Sequence, residues 1–174
     1  MTRIRIRPLA PDHDTEDFRC GDPGLDRFLK QYAYRNQEEF RLGVTYVATG
    51  ESDRVIGFVA LASASLEPDD LPPASSDKPR YPLPVIRLAR LAVDRGHQGR
   101  GLGRRLVRFT FSMAMRQAAA LGCVGVTVDA LPEAVGFYEG LGFEAMDALV
   151  GESAVRPVPL PMFVSITKIL GAQR

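Results

Sequence analysis

The run Arg95-Gly96-His97-Gln98-Gly99-Arg100-Gly101-Leu102-Gly103 is the first place where residue types and spacing suggest chemistry. It follows a β-rich segment and feeds a helix. Glycines let a backbone approach an oxyanion without Cβ interference. The unpaired N–H groups and dipole of a helix N-terminus favour a negative ligand such as a pyrophosphate. No Gly-Lys-Ser/Thr follows, so the run is not a Walker A loop. Position 104 is Arg, so it is not a Gly-x-Gly-x-x-Gly dinucleotide fingerprint either. A tight turn without a ligand gives the same letters. Tyr138, beside Phe137, reads on its spacing as a core aromatic. His13 and His97 share no metal-ligand spacing with Cys or carboxylates, so no metal is expected. Cys20 and Cys123 lack an orienting His–Asp pair and read as packed, reduced thiols rather than nucleophiles or a disulfide framework.

These groups need a scaffold. Alternation in Arg-Ile-Arg-Ile-Arg at 3–7 predicts a half-buried strand. Asp22 and Pro23 open a helix to about residue 36, with Leu25, Phe28, Leu29 and Tyr32 at helical spacing. Strands are expected at 44–49, 55–65 and 85–94, with residues 50–54 as a hairpin connection. Between the second and third lies a loop, 66–84, with six prolines in 19 residues. Such loops shape entrances or seams. The strongest helix covers 101–120, with Leu102, Leu106, Phe109 and Met113 opposite Arg104, Arg105, Arg108, Ser112 and Arg116, and Gly122 stops it. A short apolar strand at 123–128, a helix at 133–139 after Pro132, and strands near 143–150 and 161–168 complete the order. The expectation is an α/β chain: one domain over residues 1–174, with a single mixed, mostly antiparallel central sheet flanked by helices.

With 174 residues, 45% hydrophobic and 25% charged, the chain is long enough for a real core and too apolar for wholesale disorder. No run of 18 apolar residues suggests a membrane span, and Met-Thr-Arg-Ile-Arg-Ile-Arg-Pro has no secretory apolar stretch, so a cytoplasmic address is expected. The net charge of +1 conceals an asymmetry: residues 87–116 hold eight Arg and one acid, Asp94, so this stretch carries +7 against −6 elsewhere. Arg forks suit phosphate, although a solvated helix face gives the same composition.

Gln98-x-x-Gly101-x-Gly103 after a strand resembles the acetyl-CoA pyrophosphate loop of the GNAT superfamily of N-acetyltransferases. About thirty residues on, Ala134-x-x-Phe137-Tyr138-Glu139-x-Leu141-Gly142-Phe143 resembles the second half of that signature, which flanks the cofactor thiol. The resemblance covers almost the whole chain. It implies the GNAT fold and acetyl-CoA as cosubstrate. The implied binding residues are Leu91, Ala92, Val93, Gln98, Gly99, Arg100, Gly101, Leu102, Gly103, Arg104, Asp129 and Phe137. It also implies a backbone N–H near Val93 for the carbonyl oxygen and Tyr138 as the acid that protonates the leaving thiolate.

A narrower similarity runs through Phe18-x-Cys20-Gly21-x-x-x-Leu25-Asp26-x-Phe28-Leu29, Thr45-Tyr46-Val47, Tyr81-Pro82-x-Pro84-Val85, Leu88 to Asp94, Asp129-Ala130 and Leu160-Pro161-Met162. These are similar to TacT-like GNAT toxins of type II toxin–antitoxin modules. That similarity implies acetylation of the α-amino group of aminoacyl-tRNA, a block on translation, a ribbon-helix-helix antitoxin and a homodimer. The residues are consistent with such a substrate. An α-amine with a pKa of about 7.7–8.0 needs no strong base, unlike a Lys at about 10.4, and strand 85–94 offers no Glu or His as one. Arg87, Arg90, Arg108 and Arg116 are candidates for RNA phosphate contacts. Two other readings remain: a GNAT acetyltransferase acting on a small amine or a protein N-terminus, and an inactive binding protein.

Overall fold

Alternating and continuous apolar runs become strands, and capped amphipathic stretches become helices. The computed structural model describes residues 3–72, 78–146 and 157–173. In chain order the elements are β1 (Arg5–Pro8), α1 (Pro23–Arg27), a π-helical turn (Phe28–Tyr32), α2 (Ala33–Glu38), β2 (Val44–Thr49), β3 (Val55–Leu66), β4 (Leu83–Val93), α3 (Leu102–Ala120), β5 (Gly125–Ala130), α4 (Val135–Glu139), β6 (Glu144–Ala145), β7 (Leu160–Ser165) and α5 (Ile166–Gly171). Among the described residues the strands form one seven-stranded mixed sheet in the order β1-β2-β3-β4-β5-β7-β6. This is the α/β arrangement expected, a sheet flanked by helices. The β1/β2, β2/β3, β5/β7 and β6/β7 ladders are antiparallel.

The molecule divides into two compact units, Met1–Ala62 with Leu88–Thr110, and Ser63–Arg87 with Phe111–Arg174. In the first, Phe18, Phe28, Val47, Val55, Phe58 and Ala92 are core residues. Phe58 packs tilted against Phe18 and Phe28 at ring-centroid distances of 5.6 and 5.9 Å. The buried Gln37 of α2 donates to the Leu9 carbonyl at 3.0 Å and accepts from the Thr45 amide at 3.1 Å. It thereby satisfies backbone groups that would otherwise be stranded. In the second unit, Leu71, Leu83, Val85 and Phe163 form the core cluster.

Several boundaries depart from the sequence expectations. The first strand begins at Arg5 rather than residue 3. The helix expected from Asp22 is interrupted by the π turn and runs on to Glu38. Asp22 caps its start by accepting from Gly24 and Leu25 N–H. Within the proline-rich stretch, β3 extends to Leu66, a 3-10 turn forms at Pro68–Asp70 and Leu71 is buried. Residues 73–77 lie outside the described residues. The strand expected at 85–94 spans Leu83–Val93, and Asp94 instead caps a 3-10 turn at Arg95–His97.

The strand expected at 123–128 starts at Gly125 and includes Asp129. Val124 donates to the Pro84 carbonyl at 2.8 Å before the ladder begins. Helix 133–139 divides into a 3-10 turn, Pro132–Ala134, and α4. Of the strand expected near 143–150 the described part is Glu144–Ala145, and residues 147–150 lie outside the description. The final strand ends at Ser165, and α5 follows where strand was expected. The Ser165 hydroxyl accepts from Lys168 N–H at 3.1 Å, so an N-cap ends the strand.

Candidate active site

The glycine-rich loop lies in the first unit, at the C-terminal end of β4. Asp94 begins it. Its Oδ1 accepts from Gly96 N–H at 3.1 Å and lies 3.4 Å from His97 Nδ1, and its Oδ2 accepts from Arg19 N–H at 3.1 Å. Burial raises the Asp94 pKa, but the amide hydrogen bonds, His97 and Arg54 outweigh it and hold the carboxyl below the usual carboxylate value. The Gln98 side-chain amide donates to the Val93 carbonyl at 2.9 Å and to the Cys20 carbonyl at 2.8 Å.

Beyond Gln98, the backbone reaches helix α3 through Gly99 at φ +72° and Gly101 at φ +81°. A Cβ built at either glycine meets nothing within 4 Å. The bare backbone therefore faces open space immediately before a 19-residue helix. That is a fit for a phosphate group approaching N–H donors. A pocket of about 560 Å³ opens beside the loop and includes Ser52, Arg54, Ile56, His97, Arg100 and Leu102 in its lining. Its basic groups suit a phosphorylated ligand.

The remaining site expectations divide by unit. In the first, Leu91 and Val93 are half-buried, while Arg100 and Arg104 are exposed. Ala92 and Leu102 are 6% and 4% exposed. Ala92 packs in the core, and Leu102 Cδ2 lies 3.1 Å from where a Cβ on Gly57 would sit. Both side chains are largely withdrawn from solvent, although Leu102 still lines the pocket beside the loop. Arg90 stacks over the Phe28 ring at 4.0 Å, Arg105 donates to the Ile4 carbonyl at 3.0 Å, and Arg108 is exposed.

In the second unit, Arg87 and Asp129 pair at 2.8 Å, so each already has a partner. Arg116 is exposed. Tyr138 sits in α4, packed edge-on against Phe137 at 5.1 Å and Phe143 at 5.3 Å. Its carbonyl accepts from Leu141 and Phe143 N–H at 2.9 and 3.1 Å, fixing the turn after the helix. Burial pushes the phenol up to about 12, so it is fully protonated at neutral pH. Tyr138 is thus both core aromatic and potential proton donor, and the two sequence readings do not compete.

Burial chiefly, with the nearby Asp26 and Asp22 carboxylates, pushes the Cys20 thiol up to about 11, which disfavours the nucleophilic thiolate. Among the described residues no group of three His, Cys, Asp or Glu is placed to hold a metal, and no helix is long and apolar enough to cross a membrane. Sequence reasoning missed the pinning role of Asp94, though Asp94-Arg95-Gly96 carries an Asx-turn signal. It also missed Arg54, which reaches the loop from the β2–β3 hairpin and has no local pattern to mark it.

Comparison with known proteins bears on this geometry. A family model described as an acetyltransferase (GNAT) domain matches residues 41–145. A tRNA-acetylating toxin of Mycobacterium tuberculosis is 38% identical over 139 residues, covering 79% of this chain and 82% of that protein. The structure of AtaT complexed with acetyl-methionyl-tRNAfMet superposes with a TM-score of 0.86 at 27% identity, covering 99% of this chain and 100% of that one. A Tyr-to-Phe mutant of the AtaT toxin, bound to the C-terminus of the antitoxin AtaR and to acetyl-CoA, gives a TM-score of 0.78 at 26% identity over 98% of both chains. With its strand, open glycine loop and helix in the family's order, the chain belongs to the GNAT acetyltransferases.

Proposed function

We propose that this acetyltransferase moves the acetyl group of acetyl-CoA to the α-amino group of an aminoacyl-tRNA, and so acts as a translation-blocking toxin neutralised by a cognate antitoxin. The observation that carries the cofactor half is the loop before α3, whose two positive-φ glycines, Gly99 and Gly101, border open space. The acceptor half draws on the tRNA-acetylating relative and the tRNA-bound neighbour. The antitoxin-bound neighbour supports a protein inhibitor. We assign that inhibitor to the ribbon-helix-helix class and the toxin to a cytoplasmic homodimer, on the TacT-like sequence flanks.

The thioester supplies an activated acetyl group. The C–N bond forms as the C–S bond breaks, and the amine gives up one proton while the sulfur gains one. The backbone from Gln98 to Gly103, with Arg100 and Arg104, binds the diphosphate. The backbone of Leu91, Ala92 and Val93 aligns the thioester arm, with a backbone N–H near Val93 on the carbonyl oxygen, where charge develops. On the family resemblance we also assign Phe137 and Asp129 to the donor, and Tyr138 to the proton for the sulfur. Arg87, Arg90, Arg108 and Arg116 are assigned to the RNA side, where shape and charge rather than base reading would set affinity.

Charged tRNA incubated with the protein and isotopically labelled acetyl-CoA is expected to carry labelled N-acetyl-aminoacyl groups by mass spectrometry. Recovery of the aminoacyl groups unmodified would sink the tRNA reading. Turnover of a small amine under the same conditions would then leave acetyl transfer standing with a different acceptor.

A further inference from the structure

The segment Arg19–Asp26 leads into helix α1 and is distant in sequence from the donor loop, yet it is bonded to that loop at three points. Arg19 N–H donates to Asp94 Oδ2 at 3.1 Å, Arg95 N–H donates to the Arg19 carbonyl at 2.8 Å, and Gln98 Nε2 donates to the Cys20 carbonyl at 2.8 Å. The segment is then tied to the helix: Cys20 N–H donates to Asp26 Oδ1 at 2.9 Å, and Asp22 caps the first turn. Asp94 itself is 5% exposed. Its amide donates to the Ile56 carbonyl at 2.9 Å and its own carbonyl accepts from His97 N–H at 2.8 Å. Asp94 thus sits at a junction, its backbone amide tied to β3 and its carboxylate to the donor loop and the α1 lead-in.

Each of its oxygens accepts a backbone N–H. An isosteric amide can replace only one of these acceptors, and its NH₂ must face an N–H donor. The N–H that then faces the NH₂ loses its acceptor, so the backbone it belongs to is no longer held there.

We infer that Asp94 is a positioning residue that sets the backbone course of the phosphate-facing loop and couples it to helix α1 through Arg19 and Cys20. The inference rests on the reading that this loop holds acetyl-CoA. Asp94 touches no reacting atom in this scheme. It acts by holding Gly96 and His97 so that the amides from Gln98 to Gly103 converge. A donor that tightens the loop therefore also tightens the start of α1.

The test uses the full chain. Calorimetry gives the coenzyme A dissociation constant for the wild type, for Asp94→Asn, and for Phe163→Leu, a destabilising change in the core of the other unit, with the Tm of both variants measured alongside. Absence of binding to the wild type defeats the cofactor reading itself. Given wild-type binding, Asp94→Asn is expected to weaken it at least tenfold and to raise KM for acetyl-CoA, while kcat at saturating donor stays within about threefold. Phe163→Leu should bind as the wild type does. Equal affinity in Asp94→Asn, or an equal loss in both variants, overturns the inference.

Amide hydrogen exchange on the wild type gives a second readout that needs no folded variant. Coenzyme A should raise protection over residues 18–26 together with 94–103. Protection confined to 94–103 overturns the coupling.

Discussion

At the scale of single residues, Tyr138 carries a tension between acidity and placement. Burial takes its phenol to about 12, while a thiol lies at about 8.5. The phenol is therefore a weaker acid than the thiol it would protonate. It can complete the transfer only as it receives the proton released by the amine, whose ammonium form, at about 7.7–8.0, is acidic enough to supply it. On the proposed reaction, Tyr138 would therefore act as a relay and hydrogen-bond donor rather than as an independent acid. Tyr138→Phe keeps the ring against Phe137 and Phe143 and should lower kcat by about 10²-fold or more, with coenzyme A affinity unchanged by calorimetry. A kcat within threefold of the wild type would remove Tyr138 from the chemistry.

The same numbers set the pH profile. The attacking amine must be neutral, so kcat/KM with an α-amine acceptor should rise with pH and level off as the amine passes its own pKa. Tyr138 stays protonated to about 12, so it should add no alkaline decline below pH 11. A bell with a descending limb near pH 9 would assign the donor role to another group. Stability carries the opposite sign. With the folded pKa raised above the unfolded value of 10.0, the tyrosine's contribution is complete below pH 10 and fades towards pH 12. Alkaline denaturation of Tyr138→Phe should lose that component.

At the scale of elements, glycine positions separate function from packing. Gly125 in β5 has no room for a Cβ: it would collide with the Val164 carbonyl and come within 2.5 Å of the Phe163 ring. Gly125→Ala should destabilise by about 2–4 kcal/mol through overpacking and strand displacement, read as a fall in Tm. At Gly99 and Gly101 a methyl meets open space but a positive φ. Alanine there should cost about 1–2 kcal/mol of strain and weaken coenzyme A binding more than it lowers Tm. Equal effects at the two kinds of site would mean that the loop glycines only turn the chain.

Most of this architecture is legible in the sequence because the signals are local. The 3.6-residue apolar repeat of α3, the alternation of β1, the β-rich composition of β2 and the Asp22-Pro23 helix start each follow from neighbouring residues. What is not legible depends on competition between signals or on partners far along the chain. Helix α5 reads as strand because Ile166-Thr167-Lys168-Ile169 is rich in β-branched residues, and the Ser165 cap outweighs that preference. The start of β5 shifts because Val124 bonds to Pro84, a residue 40 positions away. In the candidate site the loop and Tyr138 are visible as motifs. The carbonyl partners of Gln98 and the double pinning by Asp94 arise only once Arg19 and Cys20 are brought alongside.

At the scale of the whole molecule the charge distribution makes a claim of its own. The +7 of residues 87–116 is set against −6 elsewhere, and several of its arginines have partners within the protein, Arg87 with Asp129, Arg90 with Phe28 and Arg105 with the Ile4 carbonyl among them. The arginines on exposed α3 positions, Arg104, Arg108 and Arg116, are spaced by multiples of four and share a helical stripe. If three such side chains neutralise RNA phosphates, counterion release makes KM for charged tRNA rise roughly 20–40-fold between 50 and 200 mM salt. An acceptor without a phosphate backbone should show little of this dependence. Arg104→Glu with Arg108→Glu should flatten the slope of log KM against log salt by about one for each phosphate no longer neutralised. Arg104 also borders the donor loop, so KM for acetyl-CoA is measured in parallel to separate the two effects. Arg108→Glu alone, placed a full turn beyond the loop, should change the tRNA slope and leave the donor KM in place. Identical salt slopes for the wild type and Arg108→Glu would show that the stripe is solvated surface and that RNA affinity arises elsewhere on the protein.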